Sequence, residues 1–148
     1  MKINFYSIGT VKTSEHEIAV ICCGYKEGWI FVKNRDRRAW EMPAGHREKD
    51  EDINETACRE LAEETGALRF NIIPLCDYSV TENGRTGYGR LFYARAEELG
   101  PLQDTEVEEI KVFTDLPEQL SYSEIQSALF RRAMEYIRRE PKVKNNKK

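Results

Sequence analysis

Residues 45–67 read GHREKDEDINETACRELAEETGA, and they limit what the chain can be more than any other stretch. Glu60, Glu63 and Glu64 crowd about one and a half turns of a helix, directly after Arg59. Like charges three and four residues apart repel, so a helix on its own would be more stable without them. At ~100° per residue, Ile53, Ala57 and Leu61 fall on one apolar stripe. Glu60 and Glu64 project almost over Ile53, and Glu63 lies on the adjoining flank, so these acids border the face that packs inward. A solvated charge run accounts for Asp52 and Glu55. It does not account for Glu60 and Glu64, because half-buried carboxylates need a partner. A hard, oxygen-seeking cation such as Mg2+ would offset the repulsion. Arg59 cannot bind a cation, but its planar guanidinium can hold and orient a carboxylate through a bidentate fork. Gly45 suits a tight backbone turn and Gly66 a helix C-terminal cap.

The rest of the chain reads as one mixed α/β domain over residues 1–140. Residues 17–24 and 29–32 are expected as strands of a hairpin closed by Lys26-Glu27-Gly28. A polar loop follows at 34–38, then a short strand at 39–42 leading into a Pro43-Ala44-Gly45 turn. The acidic helix is expected from about 51 to 65. A strand over 69–81, interrupted at Pro74, turns at Asn83-Gly84 with Gly87 and returns over 88–96. A last strand is expected at 107–113. A helix over about 121–138 follows, capped by Ser121 or Ser123, with Ile125, Leu129, Ala133, Tyr136 and Ile137 inward. Residues 141–148, PKVKNNKK, are basic and poor in apolar residues and read as a disordered tail.

Composition sets further bounds. An apolar fraction of 40% suffices for a core, and a net charge of −3 gives no basic field for a nucleic acid polymer. The start has no continuous apolar run of the signal-peptide kind, and no segment is long enough to span a membrane. The cysteines, at 22, 23, 58 and 76, form no CxxC motif. They are expected as reduced thiols of a cytoplasmic protein, with Cys22 and Cys23 on opposite faces of a strand.

The 45–67 segment resembles the box that defines the Nudix hydrolases. The pattern is Gly, five residues, Glu, seven residues, Arg-Glu, an aliphatic residue, any residue, Glu-Glu, any residue, Gly and an aliphatic residue. Every fixed position matches, and Ala67 is smaller than the usual last residue. Seven identities in register arise by chance at roughly 10⁻⁹ per start position, for residue frequencies of ~5–7%. Trp40-Glu41-Met42-Pro43-Ala44-Gly45 is similar to the family's lead-in. The resemblance implies an α/β/α sandwich, a mixed sheet with the box helix packed on it. It also implies hydrolysis of a nucleoside diphosphate linked to another group. In the family the metal, Mg2+ or Mn2+, is held by residues matching the carbonyl of Gly45 and the carboxylates of Glu60, Glu63 and Glu64. The matching roles make Arg59 orient Glu51 or Glu60, with Glu51 adding a contact through water. Glu63 or Glu64 would orient the attacking water. A further acid before the last strand would be Glu106, with Glu108 and Glu109 as alternatives.

On the substrate side, Arg38 and His46, with Arg35 and Arg37, flank the turn and are candidates for phosphate contact. Arg90 is a candidate to point into the cleft from a strand. Tyr78 and Phe92, with Phe5, Tyr6 and Tyr88, are candidates for a base-stacking wall. His16 is read as ordinary surface. The small size favours a nucleoside triphosphate, including 8-oxo-dGTP, cleaved to the monophosphate and pyrophosphate. The alternatives are an ADP-ribose or nucleotide-sugar pyrophosphatase and a non-catalytic nucleotide-sensing module. Retention of Glu51, Glu60, Glu63 and Glu64 argues against the module. The expected partner is a small nucleotide, with no nucleic acid polymer and no membrane. Monomer and homodimer stay open.

Overall fold

The computed structural model describes residues 1–104 and 106–139. The tail expected at 141–148 lies outside the described residues. In chain order the elements are β1 (Lys2–Tyr6), a 3-10 turn (Thr13–Glu15), β2 (His16–Tyr25), β3 (Gly28–Asn34), β4 (Trp40–Glu41) and β5 (Ala44–His46). They continue with α1 (Ile53–Thr65), β6 (Ala67–Glu82), β7 (Arg85–Leu99), β8 (Val107–Phe113) and α2 (Ser123–Arg139). The described strands form one sheet along the path β1-β6-β7-β2-β3-β4, with β5 on β2 and β8 on β3. Strands β2 and β7 run parallel, and the other pairs are antiparallel.

The layers follow from side-chain alternation along β2. Ala19, Ile21 and Cys23 pack on one face with Ile53, Ala57 and Leu61 of α1. Val20 and Cys22 pack on the other with Leu129, Phe130 and Ala133 of α2. One helix therefore covers each face, which is the α/β/α sandwich implied by the resemblance. The adjacent cysteines face opposite layers as free, buried thiols. Among the described residues, no helix is long and apolar enough to cross a membrane.

Local chemistry sets both ends of α1. The Asp52 side chain accepts from the Asn54 N–H (2.7 Å), and the Glu55 side chain accepts from the Asp52 N–H (2.9 Å). This reciprocal capping box starts the helix at Ile53 and leaves Glu51 free of it. At the other end Gly66 adopts φ +76°, and its N–H reaches the Ala62 carbonyl (2.9 Å). A Cβ there would overlap the Gly100 carbonyl oxygen.

Four local expectations are corrected. Strand β1 was not foreseen; its five residues gain their partner only from distant β6, in the register Lys2↔Thr81 to Tyr6↔Asp77. Ala44 and Gly45, expected in a turn with Pro43, belong with His46 to a strand paired with β2. Pro74 does not interrupt β6. The strand runs through it and shifts register between Pro74 and Cys76, since proline cannot donate to the ladder. The Ser121 hydroxyl is buried without a hydrogen-bond partner, so it does not cap α2.

Leu61→Ala is expected to cost ~2–5 kcal/mol, because Leu61 is fully buried between α1 and the sheet. Leu68→Ala, at a position 60% exposed, is expected to stay within about 0.5 kcal/mol. Urea unfolding checks both, and equal losses would contradict this account of the core.

Candidate active site

Strand β5 and helix α1 meet at Arg59. Its Nε donates to Glu51 Oε2 (2.7 Å) and its Nη2 to Glu51 Oε1 (3.0 Å), a bidentate fork. Nη1 donates to Glu60 Oε2 (3.0 Å) and Glu63 Oε1 (3.2 Å), and Nη2 also reaches the His46 carbonyl (3.1 Å). Thr56 Oγ1 donates to Glu51 as well (2.8 Å). Glu51 and Glu60, the two partners offered for Arg59, are both engaged. The Arg59 hydrogen bond holds the Glu51 carboxyl at about 2. Loss of solvent raises the Glu60 carboxyl even though Arg59 opposes the shift.

No arginine among the described residues hydrogen-bonds Glu64. Its Oε1 accepts from the Ala44 N–H (3.0 Å). Burial pushes its carboxyl up to about 8, with Glu60, Glu41 and Asp104 adding repulsion and the Ala44 N–H opposing. Gly45 sits in a strand rather than a turn, and it does not have a positive φ. A Cβ at Gly45 would overlap the Glu60 carboxylate, so glycine is needed there for close approach.

Glu60, Glu63 and Glu64 thus each commit one oxygen to a fixed donor. The second oxygen of each takes no hydrogen bond from the described residues, and all three side chains line one cleft. Among the described residues, no three His, Cys, Asp or Glu side chains are gathered closely enough to chelate one ion, with Glu60 and Glu63 drawn onto Arg59.

The cleft has a volume of about 1010 Å³. Its lining combines the three box glutamates, Asp104 and Glu106 with the apolar side chains of Ile18, Val20, Val80, Ile125 and Leu129. His46, Tyr78 and Tyr88 line it too. Several predicted residues do not. Arg90 is buried: its Nε donates to Asp77 Oδ1 (2.7 Å) and its Nη1 to Asn54 Oδ1 (3.2 Å), so it ties β6 and β7 to the start of α1. Phe92 is a core residue on the α1 face, 1% exposed. Arg38 stands outside the cleft lining, exposed, with φ +54° in the 34–38 loop. Phe5 packs in the α2-side core, and the Tyr6 hydroxyl bonds that of Ser79 (3.0 Å). Arg37 does line the cleft, but its guanidinium is held by Glu41 (2.9–3.1 Å) and lies 5.2 Å from the centre of the Tyr122 ring.

His16 is not surface. It is 1% exposed and bonds Asp77 through Nε2 (3.0 Å), while burial lowers its pKa. Asp77 also accepts from the backbone N–H groups of Gly9 and Val11 (3.2 Å each). Glu108 and Glu109 lie on β8, away from the cleft lining. Sequence reasoning passed over Asp104 and Gln126, which both line the cleft. For Gln126 a signal existed: it is a polar residue on the inward arc of an amphipathic helix.

The chain matches the NUDIX domain over residues 15–135, and it belongs to this family. Its curated relatives include YtkD of Bacillus subtilis (strain 168), provisionally named an 8-oxo-dGTP diphosphatase. The two are 31% identical over 102 residues, 68% of this chain and 64% of YtkD. MutT4 of Mycobacterium tuberculosis (strain CDC 1551 / Oshkosh), provisionally named a mutator protein, is 33% identical over 101 residues, 63% of this chain and 40% of MutT4. The chain therefore spans less than two thirds of the length of either relative. Among solved structures, a mutant of the Bacillus subtilis pyrophosphohydrolase BsRppH shares the fold with a TM-score of 0.70. That match covers 88% of this chain and 90% of the other at 22% identity.

The Glu64 carboxyl keeps its proton to about pH 8 in the fold, against an ordinary value of 4.5. A raised folded value means that stability is fully present below about 4.5 and is lost as pH rises through about 8. In metal-free buffer, Glu64→Gln is expected to melt above the wild type by a margin that widens from pH 5 to pH 8.5. A margin that stays constant across that range would contradict the burial of this carboxyl.

Proposed function

We propose that the chain is a divalent-metal-dependent pyrophosphohydrolase that cleaves nucleoside triphosphates, 8-oxo-dGTP among them, to the monophosphate and pyrophosphate. The observation that carries this is the set of three glutamates around Gly45, each with one oxygen anchored and one uncommitted in the cleft. The donors are all oxygen, which suits Mg2+ or Mn2+. Glu60, Glu63, Glu64 and the Gly45 carbonyl are the residues assigned to hold it. Bound there, the ion would neutralise the diphosphate bridge and acidify a water molecule.

The remaining roles belong to the chain's own side chains. Arg59 and Glu51 form the brace that keeps Glu60 and Glu63 turned toward β5. Glu63 or Glu64 orients the water; Glu64, protonated in the metal-free fold, would act only after a bound cation had displaced its own proton. The water oxygen bonds to one phosphorus as the bridging P–O bond breaks, so water adds across the anhydride. Glu106 is the second acid, and Asp104 shares its loop and the cleft. We assign His46 to phosphate contact and Tyr88 to the nucleoside, with Tyr78, 4% exposed in the α2-side core, backing that part of the lining. The name of YtkD supports an oxidised guanine nucleotide as substrate.

The test is product analysis with Mg2+ across ordinary and oxidised nucleoside triphosphates, ADP-ribose and nucleotide sugars, comparing wild type with Glu64→Gln. Triphosphate turnover that falls by at least ~100-fold in the variant is the expected outcome. Turnover confined to ADP-ribose or nucleotide sugars would replace the substrate class. Absence of both turnover and Mg2+-dependent ligand binding would overturn the enzyme proposal.

A further inference from the structure

The loop between β5 and α1 belongs to no helix or strand, and one side chain gathers it. Arg47 follows β5, and its backbone N–H donates to the Glu17 carbonyl (3.0 Å), which fixes it against β2. From there its guanidinium reaches three parts of the chain. Nε donates to the His16 carbonyl (2.9 Å) and Nη2 to the Ser14 carbonyl (3.1 Å). Nη1 donates to the Glu51 carbonyl (3.2 Å) and, at the limit of a hydrogen bond, to the Glu48 carbonyl (3.5 Å). Every one of these partners is a backbone carbonyl. Glu48, Asp50, Glu51 and Asp52 are close in sequence, yet among the described residues Arg47 pairs with none of their carboxylates.

The Glu48 and Glu51 carbonyls bracket a tight turn. The Glu51 N–H returns to the Glu48 carbonyl (3.0 Å), and the Glu48 N–H donates to Glu51 Oε1 (3.0 Å). Within the turn Asp50 takes φ +65°, a left-handed conformation that persists only where its surroundings hold it. The turn sets where the Glu51 side chain starts. That carboxylate takes the fork of Arg59, and Arg59 in turn holds Glu60 and Glu63. A planar guanidinium suits the Arg47 position, since its donors point in fixed, divergent directions. An ammonium is a point charge on a flexible stem and cannot span the same carbonyls in one geometry.

We propose that Arg47 is a positioning residue for the metal-binding carboxylates. It clamps the 48–51 turn, so that Glu51 keeps Arg59, and Arg59 keeps Glu60 and Glu63, in the arrangement that receives a divalent cation. This rests on the metal-dependent hydrolase proposal above and assigns to the same site a residue that touches neither metal nor substrate. Outer partners of metal ligands commonly change metal affinity by on the order of 10–100-fold when removed.

The test compares wild type with Arg47→Met, which keeps an apolar stem and removes the donors. Mn2+ binding to the nucleotide-free protein, followed by electron paramagnetic resonance, is expected to weaken by on the order of 10–100-fold. The Mg2+ concentration for half-maximal turnover is expected to rise by a similar factor. The nucleotide KM at saturating Mg2+ is expected to stay within about threefold. Arg47→Lys retains the charge without the fork, and is expected to weaken Mn2+ binding by ~10-fold. Phe130→Leu, in the α2-side core and outside the cleft lining, is expected to lower the melting temperature and leave Mn2+ binding intact.

Wild-type metal dependence in folded Arg47→Met, with turnover intact, would overturn the assignment and leave the hydrolase proposal standing. Equal weakening of Mn2+ binding in Phe130→Leu would also overturn it, because the loss would then follow stability and not the turn. Weakening confined to the Arg47 variants, without turnover of any nucleotide by wild type, would support the assignment and sink the hydrolase proposal. If thermal melting shows Arg47→Met unfolded, Arg47→Lys decides, and Mn2+ binding as tight as in wild type would overturn the assignment. A wild type that binds no Mn2+ would overturn both proposals.

Discussion

The arrangement around Arg59 is the interaction on which the site depends. Three carboxylates within reach of one another on α1 and its leading loop would repel and fray the helix. A single guanidinium, bonded to Glu51, Glu60, Glu63 and the His46 carbonyl, makes the cluster compatible with a folded helix packed on the sheet. The geometry is possible because Asp52 and Glu55 cap α1 at Ile53, which leaves Glu51 outside the helix to fold back on Arg59. It also requires Gly45, since a Cβ on β5 would occupy the place of the Glu60 carboxylate. The ion pairs therefore steer the acids and hold the box loop to the start of the helix. Their value lies more in this geometry than in net stability, because partly exposed pairs contribute little.

A second buried network supports the first from behind. Asp77 on β6 accepts from Arg90, His16 and two backbone N–H groups of the 7–12 loop. Arg90 continues to Asn54 in the first turn of α1. Burial lowers the pKa of His16, and Asp77 opposes that shift while the charge of Arg90 adds to it. The helix that carries the catalytic candidates is thus tied at its start to the centre of the sheet, and its inner stripe of Ile53, Ala57 and Leu61 does the rest.

What was legible in the sequence was local. The stripe of α1, the glycine that ends it and the opposite facing of Cys22 and Cys23 all follow from short-range periodicity or backbone conformation. What was not legible depends on partners far along the chain. Strand β1 is ordinary until β6 arrives beside it, and residues 44–46 become a strand only against Ile18–Val20. Arg90 was expected in the cleft and His16 on the surface because the buried counter-charge they share, Asp77, is not evident from their own neighbourhoods in sequence. Asp77 lies 61 residues from His16. Phe92 was ambiguous for the opposite reason: an aromatic on a strand serves either face, and only the parallel pairing of β7 with β2 sends it to the α1 side.

The Met42-Pro43-Ala44 segment joins these two scales. Proline has no N–H, so this ribbon offers donors only at its two ends. One is taken by Glu64 from α1 and the other by Gln126 from α2. The Pro43 carbonyl meanwhile accepts from Ile21 N–H (2.8 Å), which anchors the ribbon to the central strand. Helices on opposite faces of the sheet are therefore gauged against the same three residues. The spacing between Glu64 and the Gln126 amide is set by covalent backbone rather than by side-chain packing. A shift of either helix would strain or break one of these hydrogen bonds before it changed that spacing.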